Sequence, residues 1–162
     1  MSASSVDGAG SSRGRVYVWN GPLSAGTFPI GDGDAMVNGT ANGDYFGRQI
    51  TIVQDLDGDG YGDLLASSYG ALSEALGLGW DGAGAGSVSL LPGPVSGTLD
   101  MSEGLLLVGE QANEELGNYE IDAPGDMTGD GGVDLIIGAP DTDLPDPGLS
   151  LIHISEPTRP NE

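Results

Sequence analysis

Apolar residues along this chain fall in short runs, each closed by Gly, Pro, Asn or Asp, a rhythm that predicts strands and turns rather than helices. "RQITIV" (Arg48 to Val53) alternates, with Ile50 and Ile52 on one face and Thr51 and Val53 on the other. "LLAS" (Leu64 to Ser67), "SVSLL" (Ser87 to Leu91) and "LLLVG" (Leu105 to Gly109) complete a set of four strands. The one stretch with helical character, "SEALGLGW" from Ser73, contains Gly77 and Gly79, which limit it to a turn. The segment Gly70 to Gly86 therefore reads as a long loop joining the second and third strands.

The pattern repeats. "GRVYVWNGPLSAGTF" from Gly14 aligns with "GSVSLLPGPVSGTL" from Gly86, "DYFG" from Asp44 with "EELG" from Glu114, and "DLDGDGYGDLLAS" from Asp55 with "DMTGDGGVDLIIG" from Asp126. All three anchors give one period of about 71 residues. A four-stranded antiparallel sheet per period cannot bury both faces alone, so successive units must stack, and radial stacking of such sheets is a β-propeller. The expected fold is all-β: a partial β-propeller of four-stranded antiparallel blades. On this reading residues 1–13 are expected to be a flexible N-terminal segment, 14–43 the last two strands of one blade, 44–110 a complete blade, and 111–148 the first half of the next. A closed ring needs about four to eight blades, so this chain supplies part of one.

Composition narrows the chemistry. With 162 residues the chain is one ordinary domain in size, and its 30 Gly, 10 Pro and 6% aromatics suit a turn-rich β repeat. The absence of Cys excludes a disulfide framework and a thiolate zinc site. A formal charge of -21, with no Lys, argues against nucleic acid and anionic membranes and in favour of metal cations. No apolar run is long enough for a membrane-spanning helix, and "MSASSVDGAGSSRGR" lacks the apolar segment of a signal peptide.

The acid is concentrated in two loops. "DLDGDGYGD" places Asp55, Asp57, Asp59 and Asp63 at positions one, three, five and nine, with Gly60 at position six. Like charges about 4 Å apart repel by roughly 4 kcal/mol at an effective dielectric near 20, so the loop calls for a cation. Hard oxygen donors around a sharp Gly turn suit Ca2+ better than Mg2+, which prefers a rigid octahedron retaining water. The Tyr61 carbonyl would add a ligand. The second loop, "DMTGDGGVD", offers Asp126, Thr128, Asp130, the Gly132 carbonyl and Asp134, with one carboxylate replaced by a hydroxyl, and should bind more weakly. An EF-hand needs an acidic ligand at position twelve; Ala66 and Ile137 stand there, each inside an apolar run. Isolated Asp-Gly pairs at 31–34, 80–82 and 141–146 read as ordinary turns.

The last residues depart from this pattern. Leu149 to Arg159 resembles the in-frame translation of a transposase-type sequencing adapter, so residues 149–162 are expected to be non-native, and His153 and Arg159 are set outside the functional argument. Three Arg then remain, Arg13, Arg15 and Arg48. The natural coding sequence is accordingly expected to continue beyond Gly148.

Phe46-Gly47, an acidic loop, an apolar strand and Gly138-Ala139-Pro140 together resemble the FG-GAP repeat, the blade also found in the head of integrin α subunits. The complete unit has Ser67 to Tyr69 where "GAP" is expected, and the later one has Leu116-Gly117 where "FG" is expected. The resemblance implies a seven-bladed propeller with Ca2+ bracing the hairpin between the first two strands of each blade. It also implies an extracellular or cell-surface setting in a secreted bacterial protein, with a structural or adhesive role and a protein or carbohydrate ligand on the propeller loops.

An enzyme is the competing class. Without Lys, Cys or a native His the common nucleophile-base pairs cannot be assembled, and "GLGWDG" at 77–82 has neither a strand before it nor a helix after it. Tyr17, Trp19 and Trp80 suit packing between blades better than sugar stacking. The alternative kept open is a non-catalytic propeller portion of a larger secreted lyase or hydrolase. Asn38-Gly39-Thr40 forms a sequon of little weight, and Arg48 reads as a surface residue or a local ion pair.

Overall fold

The computed structural model describes residues 2–3, 12–70, 84–140 and 151–154. The long loop's centre, with Trp80 and the Gly-rich 77–82 stretch, and the turn at 141–146 lie outside them, as does most of the N-terminal segment and of the tail.

Eleven short strands form three sheets among the described residues. The middle sheet contains β4 (Ile50–Val53), β5 (Asp63–Ser68), β6 (Ser87–Leu91) and β8 (Leu105–Val108), antiparallel throughout and in that order. These are the four strands expected from the sequence, with ends shifted by at most two residues. The first sheet runs β1 (Ser2–Ala3), β2 (Arg15–Val18), β3 (Ala35–Asn38), β7 (Gly97–Asp100). The third runs β11 (Leu151–Ile154), β10 (Asp134–Gly138), β9 (Ile121–Gly125). β11 falls in the segment expected to be non-native, and its backbone pairs antiparallel with β10 from Gly138↔Leu151 to Leu135↔Ile154.

β7 was not expected from the sequence. Its "GTLD" has one large apolar residue and no alternation, so periodicity gives no signal. It leaves the middle sheet after β6 and pairs parallel with β3, from Ala35↔Gly97 to Asn38↔Asp100. A 3₁₀ turn at Met101–Glu103 follows, closed by a capping box in which Asp100 and Glu103 satisfy each other's backbone amides. The chain then returns to its own sheet as β8.

The core lies in two clusters, one at each junction between adjacent sheets. Val16, Val37, Phe46, Leu64, Ala66, Leu91 and Met101 fill the first, and Leu65, Val88, Leu116, Ile121, Leu135 and Ile137 the second. Side chains alternate across a strand, which is how β5 sends Leu64 and Ala66 to one cluster and Leu65 to the other. Every residue of β5 is buried. Burying one such Leu contributes about 1.5 to 3 kcal/mol.

The period is written into the backbone as well as the core. Phe46 N–H donates to the Arg13 carbonyl just ahead of β2 in the first sheet, while Gly47 N–H donates to the Ser67 carbonyl of the middle one. Leu116 and Gly117 repeat this with Ala85 and Gly138. The dipeptide is thus a stitch between adjacent sheets, and Leu116 fills the role of Phe46. Gly47 and Gly117 both lie at positive φ, 88° and 72°, where a side chain would be strained.

Candidate metal centre

Both acidic loops connect the first two strands of their sheet, β4 to β5 and β9 to β10. In the first, Asp55 organises the backbone: its Oδ1 accepts from Gly58 N at 2.6 Å and Asp59 N at 3.0 Å, and its Oδ2 from Gly60 N at 2.8 Å. Gly58 and Gly60 adopt φ of 83° and 94°, the left-handed turns that aim those amides inward. The Gly60 amide, with those of Gly58 and Asp59, holds the Asp55 carboxyl below its ordinary value.

Asp63, at the start of β5, is 1% exposed and anchors the other end. Its Oδ2 accepts from Leu56 N and its Oδ1 from Gly93 N, each at 2.8 Å. The second bond ties the loop to the β6–β7 link, a contact that spacing along the chain does not reveal.

Asp55, Asp57 and Asp63 each bring one carboxylate oxygen within 4.8 Å of the others, and this is the one such group among the described residues. The Asp59 amide pulls the Asp57 carboxyl down, but desolvation and repulsion from Asp59, Asp63 and Asp55 outweigh it and leave Asp57 raised. That repulsion is the cost a cation would remove, and three hard oxygens converging on one point fit a divalent ion. Asp59 lies outside the group; its Oδ1 accepts from Tyr61 N at 2.8 Å. Tyr61 itself is exposed.

The second loop repeats the scaffold with one acid fewer. Asp126 Oδ1 accepts from Gly129 N and Asp130 N, and its Oδ2 from Gly131 N, at 2.6, 3.2 and 2.9 Å. The Gly131 amide leads the set that lowers the Asp126 carboxyl. Buried Asp134 accepts from Met127 N and Thr128 N, and Asp130 from Gly132 N. Thr128 stands where Asp57 completes the first group, and no three-acid group forms in this loop.

One further acidic pair, Asp44 and Glu114, recurs at equivalent points of the repeat. Asp44 is fully buried, and its Oδ2 accepts from Ala41 N at 2.6 Å and Thr40 Oγ at 3.2 Å. Glu114 does the same with Glu110 N and Gln111 N. Burial pushes the Asp44 carboxyl up against the lowering effect of those bonds and of Arg13. These acids shape the turn before the stitch. Their signal is recurrence: each precedes its stitch dipeptide by two residues.

Other candidates resolve locally. Arg48 is a surface residue that bridges sheets, donating from Nε to Asn118 Oδ1 with its guanidinium 5.4 Å from the Tyr69 ring centroid. Asn38 Oδ1 accepts from Arg15 Nε at 2.6 Å and its Nδ2 donates to Leu99 O, so the sequon amide is engaged within the first sheet. Tyr17 is buried with Trp19 beside it, ring centroids 6.1 Å apart. No helix among the described residues is long and apolar enough to cross a membrane.

The FG-GAP repeat family model matches residues 46–91, from Phe46 through the Asp55 loop and β5 to the end of β6. No curated protein matches the chain. The matched repeat is a structural, non-catalytic element.

Proposed function

Starting from an FG-GAP repeat at residues 46–91, we propose that the chain is a calcium-braced portion of an extracellular β-propeller with a structural or adhesive role. Residues 14–43, 44–110 and 111–148 are then the outer half of one blade, a whole blade and the inner half of a third. Asp55, Asp57, Asp59, Asp63 and the Tyr61 carbonyl hold one Ca2+; Asp126, Thr128, Asp130, Asp134 and the Gly132 carbonyl hold another. The observation that carries this reading is the convergence of Asp55, Asp57 and Asp63 on a loop scaffold that recurs one period later. Protein or carbohydrate ligands would engage the propeller loops.

Thermal unfolding with and without Ca2+ tests it. Extracellular sites have Kd values of about 10⁻⁴ to 10⁻³ M, so 10 mM Ca2+ should add about 1.4 to 2.7 kcal/mol. For a chain of this size that raises Tm by roughly 3 to 10 °C. Asp57→Asn keeps an acceptor for the Asp59 amide and removes the charge; it should lose most of the shift while leaving the metal-free Tm within about 2 °C of wild type. An unchanged calcium response in this variant counts against the site.

A further inference from the structure

Three Asn-Gly pairs occur in the chain: Asn20-Gly21, Asn38-Gly39 and Asn42-Gly43. A glycine after asparagine leaves the next backbone nitrogen unhindered, and once that nitrogen gives up its proton it can attack the side-chain amide carbon. The covalent chemistry of the three pairs is the same, so the fold decides which of them reacts. Asn38 is locked. Its Oδ1 accepts from Arg15 Nε, its Nδ2 donates to Leu99 O, and the N–H of buried Gly39 donates to Gly14 O at 3.1 Å. Asn20-Gly21 is exposed, in the link from β2 to β3, where no bond between sheets depends on it.

Asn42-Gly43 differs from both. Asn42 is exposed, and among the described residues neither its side chain nor the Gly43 N–H has a hydrogen-bond partner. Yet the turn stands at the junction of the first and middle sheets. The Asp44 carbonyl accepts from Tyr69 N and Gly70 N at 2.8 and 3.1 Å, at the end of β5, and the Phe46-Gly47 stitch follows. The backbones there touch: a Cβ on Gly70 would lie 1.8 Å from the Gly43 carbonyl oxygen. One period later the same turn carries Ala112-Asn113, with Asn113 at φ 62° where Gly43 has 81°. The labile pair is absent from that copy. In the acidic loops the Asp-Gly pairs are guarded, because carboxylates of Asp55 and Asp126 hold the Gly58, Gly60 and Gly131 amides.

We propose that Asn42 is a self-modification site, at which deamidation releases the turn that fastens the first sheet to the middle one. Gly43 N loses its proton and bonds to Asn42 Cγ, the Cγ–Nδ2 bond breaks, and the proton leaves with the side-chain NH2 as ammonia. Water then opens the cyclic imide at either carbonyl, giving aspartate or isoaspartate. Both products place a new negative charge two residues from buried Asp44. Isoaspartate also lengthens the main chain by one carbon between Ala41 and Asp44, across the span where Asp44 Oδ2 accepts from Ala41 N at 2.6 Å. The Gly43 and Gly70 backbones are too close to absorb that carbon, so the bonds from Tyr69 and Gly70 to the Asp44 carbonyl are lost. The reaction needs only water and proceeds with or without Ca2+.

The test incubates the full chain at pH 8.5, folded and in 8 M urea. The chain has no Lys, so trypsin releases residues 16–48 as one peptide holding all three pairs, and fragmentation assigns aspartate and isoaspartate to each. In the folded chain Asn42 should convert at least tenfold faster than Asn38, and in urea the two rates should converge. The aged chain should melt at a lower temperature than the fresh one. Gly43→Asn takes the residue that stands at 113, which tolerates the left-handed turn, and its Cβ meets no atom within 4 Å. It should convert at position 42 at least tenfold more slowly and hold its Tm over the same time, while Asn20 reacts as in wild type. Equal rates at Asn42 and Asn38 in the folded chain, an Asn42 that reacts only in urea, or an aged Gly43→Asn chain that loses as much Tm as wild type overturns the proposal.

Discussion

At the scale of single residues, buried acids do more here than the exposed ones suggest. Asp44 has a folded-state carboxyl raised above 3.8 by burial, so the folded state holds its proton more tightly than the unfolded chain does. Its contribution to stability is therefore fully present below the unfolded value of about 3.9 and is lost as pH rises through the folded value. Denaturant unfolding of wild type and Asp44→Asn between pH 3 and 7 should show the difference moving in favour of wild type as the pH falls, then levelling. A pH-independent difference would mean that Asp44 carries no such shift. The effect of Asp55 and Asp126 has the opposite sign: their lowered carboxyls stabilise above the unfolded value and cease to do so as acid protonates them.

At the scale of elements, the two acidic loops form a built-in comparison. Both share the amide cage around the first Asp, and they differ at Asp57 and Thr128. Calorimetric titration of Asp57→Asn and Asp130→Asn chains should therefore find the Asp55 loop the tighter one, with the residual site of Asp57→Asn weaker by tenfold or more than that of Asp130→Asn. Equal affinities would show that carboxylate count does not set the order. The loop also depends on a distant glycine. A Cβ on Gly93 would sit 2.4 Å from the Gly62 carbonyl oxygen, and Gly93 N–H is the donor to Asp63. Gly93→Ala should cost about 1 to 3 kcal/mol, read from urea unfolding, and should weaken Ca2+ binding at the first loop.

The strands and loops at this scale were legible because their signals are local: alternation in β4, apolar runs bounded by glycine, and acids at fixed spacing. Phe46-Gly47 and Leu116-Gly117 could be matched by position alone. What the pattern did not carry was partner choice. β7 joins a sheet other than the one before it in sequence, and Asp63 reaches Gly93 across 30 residues. Both depend on how distant segments pack, which spacing along the chain does not encode. The Asp59 carboxylate stays outside the Asp55, Asp57 and Asp63 group because it accepts from Tyr61 N–H within the loop. Periodicity also left open which face of β4 is covered: its two isoleucines are the exposed pair, and Val53 the buried residue.

At the scale of the whole molecule, stability resides at junctions rather than within sheets. Each hydrophobic cluster is shared by two neighbours, so no sheet keeps its core when separated. The stitch dipeptides add backbone bonds across the same junctions. This is the energetic form expected of a repeat protein, in which interface terms dominate and a unit at an end is weaker than one in the middle. The exposed residues Leu23, Ile52 and Leu105 mark where such junctions are open.

β7 has a practical consequence for anyone who would cut, shuffle or transplant these units. Because residues 97–100 pair with residues 35–38, the boundary of the sequence repeat and the boundary of the folded sheet do not coincide. A segment excised at 44 and 110 carries away the strand that edges the first sheet and separates it from the β3 it pairs with. A transferable cassette must therefore include the strand that β7 grips, beginning near Ala35 rather than at the first residue of the period. The same offset makes a duplicated unit arrive already fastened to the one before it.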